Sequence, residues 1–282
     1  MERPRVVAIL NATPDSFFDG GQLADFDVAT ARAQAAVHAG AAMLDIGGES
    51  TRPGAERVEA FEQIARVVPI IEAIRSHADD RVANIPISVD TTRASVAIAA
   101  IEAGADAIND VSGGTEDPQL LGVAADAGAG LVLMHRAAAP PEDRYADEYA
   151  AEPQFDGGVV AAVRSYLSDR VRLALDAGVR RECLSIDPGL GFGKSVGQNL
   201  ELLRSASDLS PEGLPVYVGA SRKRFVGRLS IGASSEPSDR LAGSIAATVL
   251  GAQAGAMLHR VHDVAAHVQA LSVLAAWNGR PD

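Results

Sequence analysis

The chain has 282 residues, 47% of them hydrophobic and 22% charged, with a formal net charge of -12. That length allows a large core and an α/β barrel as one domain over residues 1–282, and the acidic balance excludes non-specific nucleic-acid binding. Cys183 is the only cysteine, which excludes an internal disulfide and a cysteine-based metal site and fits a reducing, cytoplasmic setting. The apolar runs are too short to cross a bilayer. Arg3 and Arg5 precede only Val6 to Leu10 before polar Asn11, which does not read as a signal peptide.

Val6 to Leu10 reads as a first strand ending at Asn11. A polar loop, Thr13 to Gly21, and an Ala-rich helix from Asp27 to Ala39 follow. The second strand, Met43 to Ile46, turns on Gly47 and Gly48 into Glu49-Ser50-Thr51-Arg52-Pro53-Gly54, a polar row that no core requires. Glycines there permit a sharp turn or close approach, and Pro53 biases Arg52 towards an extended conformation. A helix from Glu59 to Ser76 carries apolar residues at helical spacing. The third strand, Ile85 to Val89, ends at Asp90, and its helix spans Thr92 to Ala103. The fourth, Asp106 to Ile108, ends at Asn109-Asp110. Asp117-Pro118 is a helix start signal. The fifth strand, Gly130 to Met134, precedes His135.

Residues 136–156, with three prolines and mixed charge, read as a long surface loop before a helix from Gly158 to Ala177. The sixth strand, Cys183 to Ile186, ends at Asp187-Pro188-Gly189. The seventh, Pro215 to Val218, leads to Ser221-Arg222-Lys223-Arg224. The eighth, Ala256 to His259, leads to Arg260, Val261 and His262. A last helix covers Val264 to Trp277. Gly40, Gly104, Gly128, Gly178 and Gly255 each stand where a helix closes and a strand opens, the usual place of a left-handed terminator. Eight strand–helix units imply parallel pairing and a (β/α)8 barrel, also called a TIM barrel. An open doubly wound sheet is the alternative, disfavoured because no glycine-rich dinucleotide fingerprint follows the first strand.

In a barrel all strand C-termini share one face, where active sites form. Asp90, Asn109 and Asp187 there suit a flat heterocycle rich in N–H donors. Lys223, Arg260 and His262 suit an anion such as phosphate. Of 25 Lys plus Arg, only Lys194 and Lys223 are lysines, and both lie in loops after strands, where a compact ammonium reaches a ligand differently from a guanidinium. Taken singly, Asp90 also reads as a helix cap, Asp187 as a turn residue, Met134 as core and the Ser221 to Arg224 run as a solvated surface.

The blocks ILNATPDSFFDGG, DIGGESTRPGA, SVDT, INDVSGG, LVLMH, DPGLGFGK, GASRKRFVG and RVHDV, in this order from about Val6 to Leu271, closely resemble the dihydropteroate synthases of the pterin-binding barrel family. The resemblance implies a folate-pathway transferase and sulfonamide target that joins 6-hydroxymethyl-7,8-dihydropterin pyrophosphate to para-aminobenzoate (4-aminobenzoate), releasing pyrophosphate. It implies that Asp90, Asn109, Asp187 and Lys223 hold the pterin, with Met134 against its ring. Asn11 would help bind Mg²⁺, and Arg260 and His262 the pyrophosphate. Thr51, Arg52, Pro53, Phe192, Ser221 and Arg224 would form the 4-aminobenzoate site, and Asp15, Arg52 and Lys223 would act at the reacting centre. A homodimer with small-molecule substrates and neither nucleic-acid nor membrane partners is expected. Arg224 replaces a small hydroxyl residue common in the family, Gln198 replaces a histidine, and the loop after His135 lacks a common glycine. A pterin-dependent methyltransferase and a non-catalytic pterin-binding paralogue are the alternatives; the intact Glu49 to Gly54 loop favours catalysis.

Overall fold

In the computed structural model, which describes residues 3–12, 22–232 and 234–279, the apolar runs become eight parallel strands. They are β1 Arg5–Asn11, β2 Met43–Gly47, β3 Ile87–Asp90, β4 Ala107–Asp110, β5 Gly130–Met134, β6 Leu184–Asp187, β7 Tyr217–Val218 and β8 Leu258–Val261. The helices are α1 Gln22–His38, α2 Ala60–Arg75, α3 Asp80–Ala83, α4 Ala94–Glu102, α5 Gln119–Ala127, α6 Val159–Asp176, α7 Val196–Arg204, α8 Ala206–Leu209, α9 Arg224–Ser230, α10 Leu241–Gln253 and α11 Val264–Trp277. The strands pair in the order β6-β5-β4-β3-β2-β1-β8-β7. A single bridge, Ile186 to Val216, joins the two ends and closes the barrel.

Strand side chains alternate between two faces, and here the two faces have different chemistry. Outward positions are apolar: Leu44, Ile46, Ile87, Val89, Ile108, Leu131, Leu133, Leu184 and Ile186 are buried in one continuous core with the helices. Each such side chain contributes roughly 1.5–3 kcal/mol on burial. Inward positions lie level across the ladder, as the register Ile9–Asp45, Asp45–Ser88, Asp90–Asn109 and Met134–Asp187 shows. At the N-terminal end the interior is apolar, with Val7, Val132 and Tyr217 clustered. Towards the C-terminal end it turns polar.

The five expected terminator glycines all take positive φ. Four strands, β3, β4, β6 and β8, begin and end one or two residues later than the sequence reading. At β8 the reason is a helix cap: Ala256 donates to Gly251 O at 2.9 Å. This places Arg260 inside β8, paired with Val7, rather than in the loop beyond. Helix α7 stands where the sequence reading has none; Ser195 and Gln198 form a reciprocal capping box at its start. Among the described residues no helix is long and apolar enough to cross a membrane.

Candidate active site

The C-terminal ends of the strands surround a cavity of about 1020 Å³. Its floor is built on Arg260. The guanidinium donates to Asp45 Oδ2 at 2.5 Å and to Asp90 Oδ2 at 2.8 Å. Asp45, fully buried, also accepts from Ser88 Oγ at 2.6 Å and Asn109 Nδ2 at 3.2 Å. A charge this deep is tolerable only when paired and hydrogen-bonded. Asp90 Oδ1 has no partner although buried. Burial, against the opposing pull of Arg260, pushes the Asp90 carboxyl up to about 7. An unpaired buried acceptor facing a cavity is what a donor-rich ligand requires.

Asp187 extends this acceptor row. Its Oδ1 accepts from Gly189 N–H at 2.7 Å, and burial pushes it up to about 6 despite that bond and the nearby Lys223, Lys194 and Arg260 charges. Gly189 has φ +67°, and a Cβ there would lie 1.8 Å from His135 O, so only glycine fits. Met134 and Phe192 form an apolar cluster beside the row. Lys223 Nζ lies 4.1 Å from the Phe192 ring centroid and donates to Leu190 O. Burial lowers Lys223 to about 8.

The other lysine does something different. Lys194 is fully buried and donates to the carbonyls of Phe192, Gly189 and His135 at 2.8, 2.9 and 3.3 Å. It ties the loop after β6 to the end of β5 and does not line the cavity. His135 is likewise turned into packing, edge-on to Tyr166 at 4.8 Å.

The rim carries basic side chains, most of them already paired. His262 Nδ1 lies 3.1 Å from Ser221 Oγ, and burial together with Arg260 and Arg222 holds the imidazole down to about 3, hence neutral near pH 7. The Ser221 to Arg224 run is not a loosely solvated stretch. Arg222 has φ 59° and grips Asp263 through two bonds of 2.9 and 2.6 Å. Arg224 pairs with Asp147 at 2.8 Å and Glu148 at 3.1 Å. The first residues of α11, Val264 and Ala265, also line the cavity and turn the positive end of that helix towards it.

The loop after β2 completes the wall with Thr51, Arg52 and Pro53. Glu49 holds it by accepting from Val58 N–H at 2.6 Å. Gly47 and Gly48 do not take positive φ; their role is close approach, since a Cβ would meet Asp90 at 3.3 Å and the Gln63 backbone at 3.1 Å.

The cavity thus brings together Asn11, Thr51, Arg52, Pro53, Asp90, Asn109, Met134, Asp187, Phe192, Ser221, Lys223, Arg224, Arg260 and His262; Asp15 lies outside the described residues. The sequence reading missed Asp45 and Ser88. Their signal was available: polar residues alternate with apolar ones in Leu44-Asp45-Ile46 and Ile87-Ser88-Val89-Asp90, two positions before the strand ends at Gly47 and Asp90. Among the described residues no group of three or more His, Cys, Asp or Glu could hold a metal. Asn11, the expected Mg²⁺ residue, lines the cavity and has a single amide oxygen to offer a cation. That donor set fits a divalent ion carried mainly by substrate phosphates and water, not a dedicated cage.

The comparisons agree with this geometry. A profile of the family described as pterin binding enzyme matches residues 7–262. The dihydropteroate synthase of Synechocystis sp. is 42% identical over 277 residues, spanning 98% of this chain and 91% of that protein. The structure of Xanthomonas albilineans dihydropteroate synthase with 4-aminobenzoic acid superposes with a TM-score of 0.86 at 43% identity, covering 99% of this chain and 95% of that one. The same protein in complex with 7,8-dihydropteroate gives a TM-score of 0.83 at 41% identity, again covering 99% and 95%. With a barrel of the same shape along its whole length and the family profile running from β1 to His262, the chain belongs to the pterin binding enzyme family.

Proposed function

We infer that the protein has dihydropteroate synthase activity. It condenses 6-hydroxymethyl-7,8-dihydropterin pyrophosphate with 4-aminobenzoate, giving 7,8-dihydropteroate and pyrophosphate. The observation that carries the assignment is the adjacency of an acceptor-lined floor and a rim of basic side chains in one cavity. Asp90 Oδ1 is buried without a partner, Asn109 and Asp187 stand beside it, and Arg260 joins this floor to the rim at His262.

In this reading Asp187, Asn109 and Asp90 accept from the ring and amino N–H groups of the pterin, and Met134 packs on its face. The methylene next to the ring then points to the rim. Its C–O bond to the diphosphate breaks, and the electron pair leaves on the pyrophosphate oxygen. The electron-rich ring stabilises the methylene cation. Arg260, His262 and the start of α11 sit where that negative charge develops, and such pre-oriented groups lower the barrier most. The arylamine nitrogen attacks the methylene carbon, a C–N bond forms, and the nitrogen loses its proton. Thr51, Arg52, Pro53, Phe192 and Ser221 would hold the arylamine, and Arg52, Lys223 and Asp15 would act about the reacting centre. Mg²⁺, bound through the diphosphate and Asn11, would supply further neutralisation of the leaving group.

The lone, half-buried Cys183 supports a cytoplasmic enzyme. Leu250 of α10 and Val273 and Trp277 of α11 are 56%, 71% and 82% exposed, and these two packed helices supply the face through which we infer a homodimer. Sedimentation would measure it: Trp277→Glu should shift the equilibrium towards monomer, and an unshifted equilibrium would exclude that face. The activity is tested by following pyrophosphate release with both substrates and with each alone.

A further inference from the structure

Residues 136–156, between β5 and α6, have no role in the chemistry described so far, yet they are anchored at both sides of the cavity mouth. On one side Gly54 N–H, in the loop after β2, donates to Pro140 O at 2.7 Å. On the other, Arg224 pairs with Asp147 at 2.8 Å and Glu148 at 3.1 Å and stacks 4.7 Å over the Tyr145 ring. A third anchor lies behind, where Gln198 Nε2 donates to Pro153 O at 2.6 Å. Between the first two anchors Tyr145 and Ala146 line the cavity. The Asp147 side chain is only 8% exposed, so its pairing is better shielded than an ordinary surface ion pair. Two carboxylates face one guanidinium, and that trio is net negative.

We propose that Tyr145 and Ala146 form a wall of the arylamine subsite, and that Arg224 is the positioning residue that latches it through Asp147 and Glu148. Resting on the activity inferred above, this assigns Arg224 a different part from the direct 4-aminobenzoate contact expected from sequence. The guanidinium is committed to the wall and is not a free receptor for the benzoate carboxylate. The segment spans the gap between the loop after β2 and the loop after β7, so it sets how closely an arylamine is enclosed without touching the acceptor row that holds the pterin.

The two assignments for Arg224 predict opposite signs. Asp147→Asn combined with Glu148→Gln releases the latch while leaving Arg224 in place. If Arg224 positions the wall, the KM for 4-aminobenzoate rises by about fivefold or more. The KM for the pterin diphosphate, an internal check on folding, stays within about twofold. Tyr145→Ala should do the same. Arg224→Ala should too, and Arg224→Lys, which keeps a cation for both carboxylates, should recover part of the loss. A fall in the 4-aminobenzoate KM of the double variant would overturn the proposal, because it would show Arg224 freed to bind the carboxylate. Equal rises in both KM values would overturn it as well, by showing only general support of the fold. Absence of pyrophosphate release by the unaltered protein would refute the activity itself. The wall would still be read by calorimetric titration of 4-aminobenzoate with pyrophosphate present, where an unchanged affinity in the double variant would reject it.

Discussion

At the scale of single residues, the acceptor row makes a prediction about pH. Asp187 is held at about 6 in the empty cavity, chiefly by burial. A ring N–H edge binds the ionised forms of Asp187 and of Asp90, which burial pushes up to about 7, so affinity for a pterin analogue should rise with pH through about 6 to 7 and then level off. Below that window it should fall by about tenfold or more per pH unit. Asp187→Asn replaces an acceptor with an amide and should cost about 2 kcal/mol or more of analogue binding at pH 8. Calorimetry between pH 5 and 8 checks both; a flat profile with unchanged affinity would remove Asp187 from the site. Lys223 makes a steric prediction. Its Cδ lies 2.9 Å from where a Gly191 Cβ would stand, and its ammonium sits over Phe192. A planar guanidinium does not fit that slot, so Lys223→Arg should reduce turnover by about a hundredfold although charge is kept. Near-normal turnover would mean that charge alone matters there.

At the scale of elements, the loop after β6 is the most constrained. Lys194 donates to His135 O just after β5, His135 N–H donates to Asp187 O at the end of β6, and Gly189 leaves no room for a Cβ beside the His135 carbonyl. Gly189→Ala forces a clash at positive φ and should destabilise the protein by about 3 kcal/mol or more while displacing Asp187. Denaturant unfolding measures the first effect and pterin-analogue binding the second. Wild-type stability would show that the loop relaxes freely. This element also shows what sequence can and cannot reveal. Asp187 was legible because a carboxylate followed by Pro188-Gly189 at a strand end has a chemical meaning on its own. The part played by Lys194 was not, because its partners are backbone carbonyls and nothing in the side-chain alphabet marks them. Asp45 was hidden for another reason. Its partner Arg260 lies on the last strand, and only the pairing of β8 with β1 brings it within reach of β2. The alternating pattern and terminator glycines made the barrel itself readable. Strand limits slipped where a helix cap extended into the residues after the glycine, as at Ala256. Residues 136–156 read as plain loop, since their ties to Gly54 and Arg224 are entirely tertiary.

At the scale of the whole molecule, the floor is made of strand ends and the arylamine side largely of loops. Loops respond to ligands more readily than strands do. Pyrophosphate at Arg260 and His262 should draw Arg52 and its loop into place. 4-Aminobenzoate should therefore bind at least about tenfold tighter with pyrophosphate and Mg²⁺ present than without, and by linkage pyrophosphate should gain the same factor from 4-aminobenzoate. Equal affinities in paired titrations would show a preformed pocket. The central claim is narrower: one cavity binds the pterin diphosphate and the arylamine together and exchanges the C–O bond for a C–N bond. Its most direct test is a stoichiometric count of pyrophosphate with both substrates and Mg²⁺, and with each substrate withheld in turn. One pyrophosphate should appear per dihydropteroate formed, and its release should depend on both substrates. Pyrophosphate release at the same rate without 4-aminobenzoate, or tight binding of both substrates with no release at all, would contradict it.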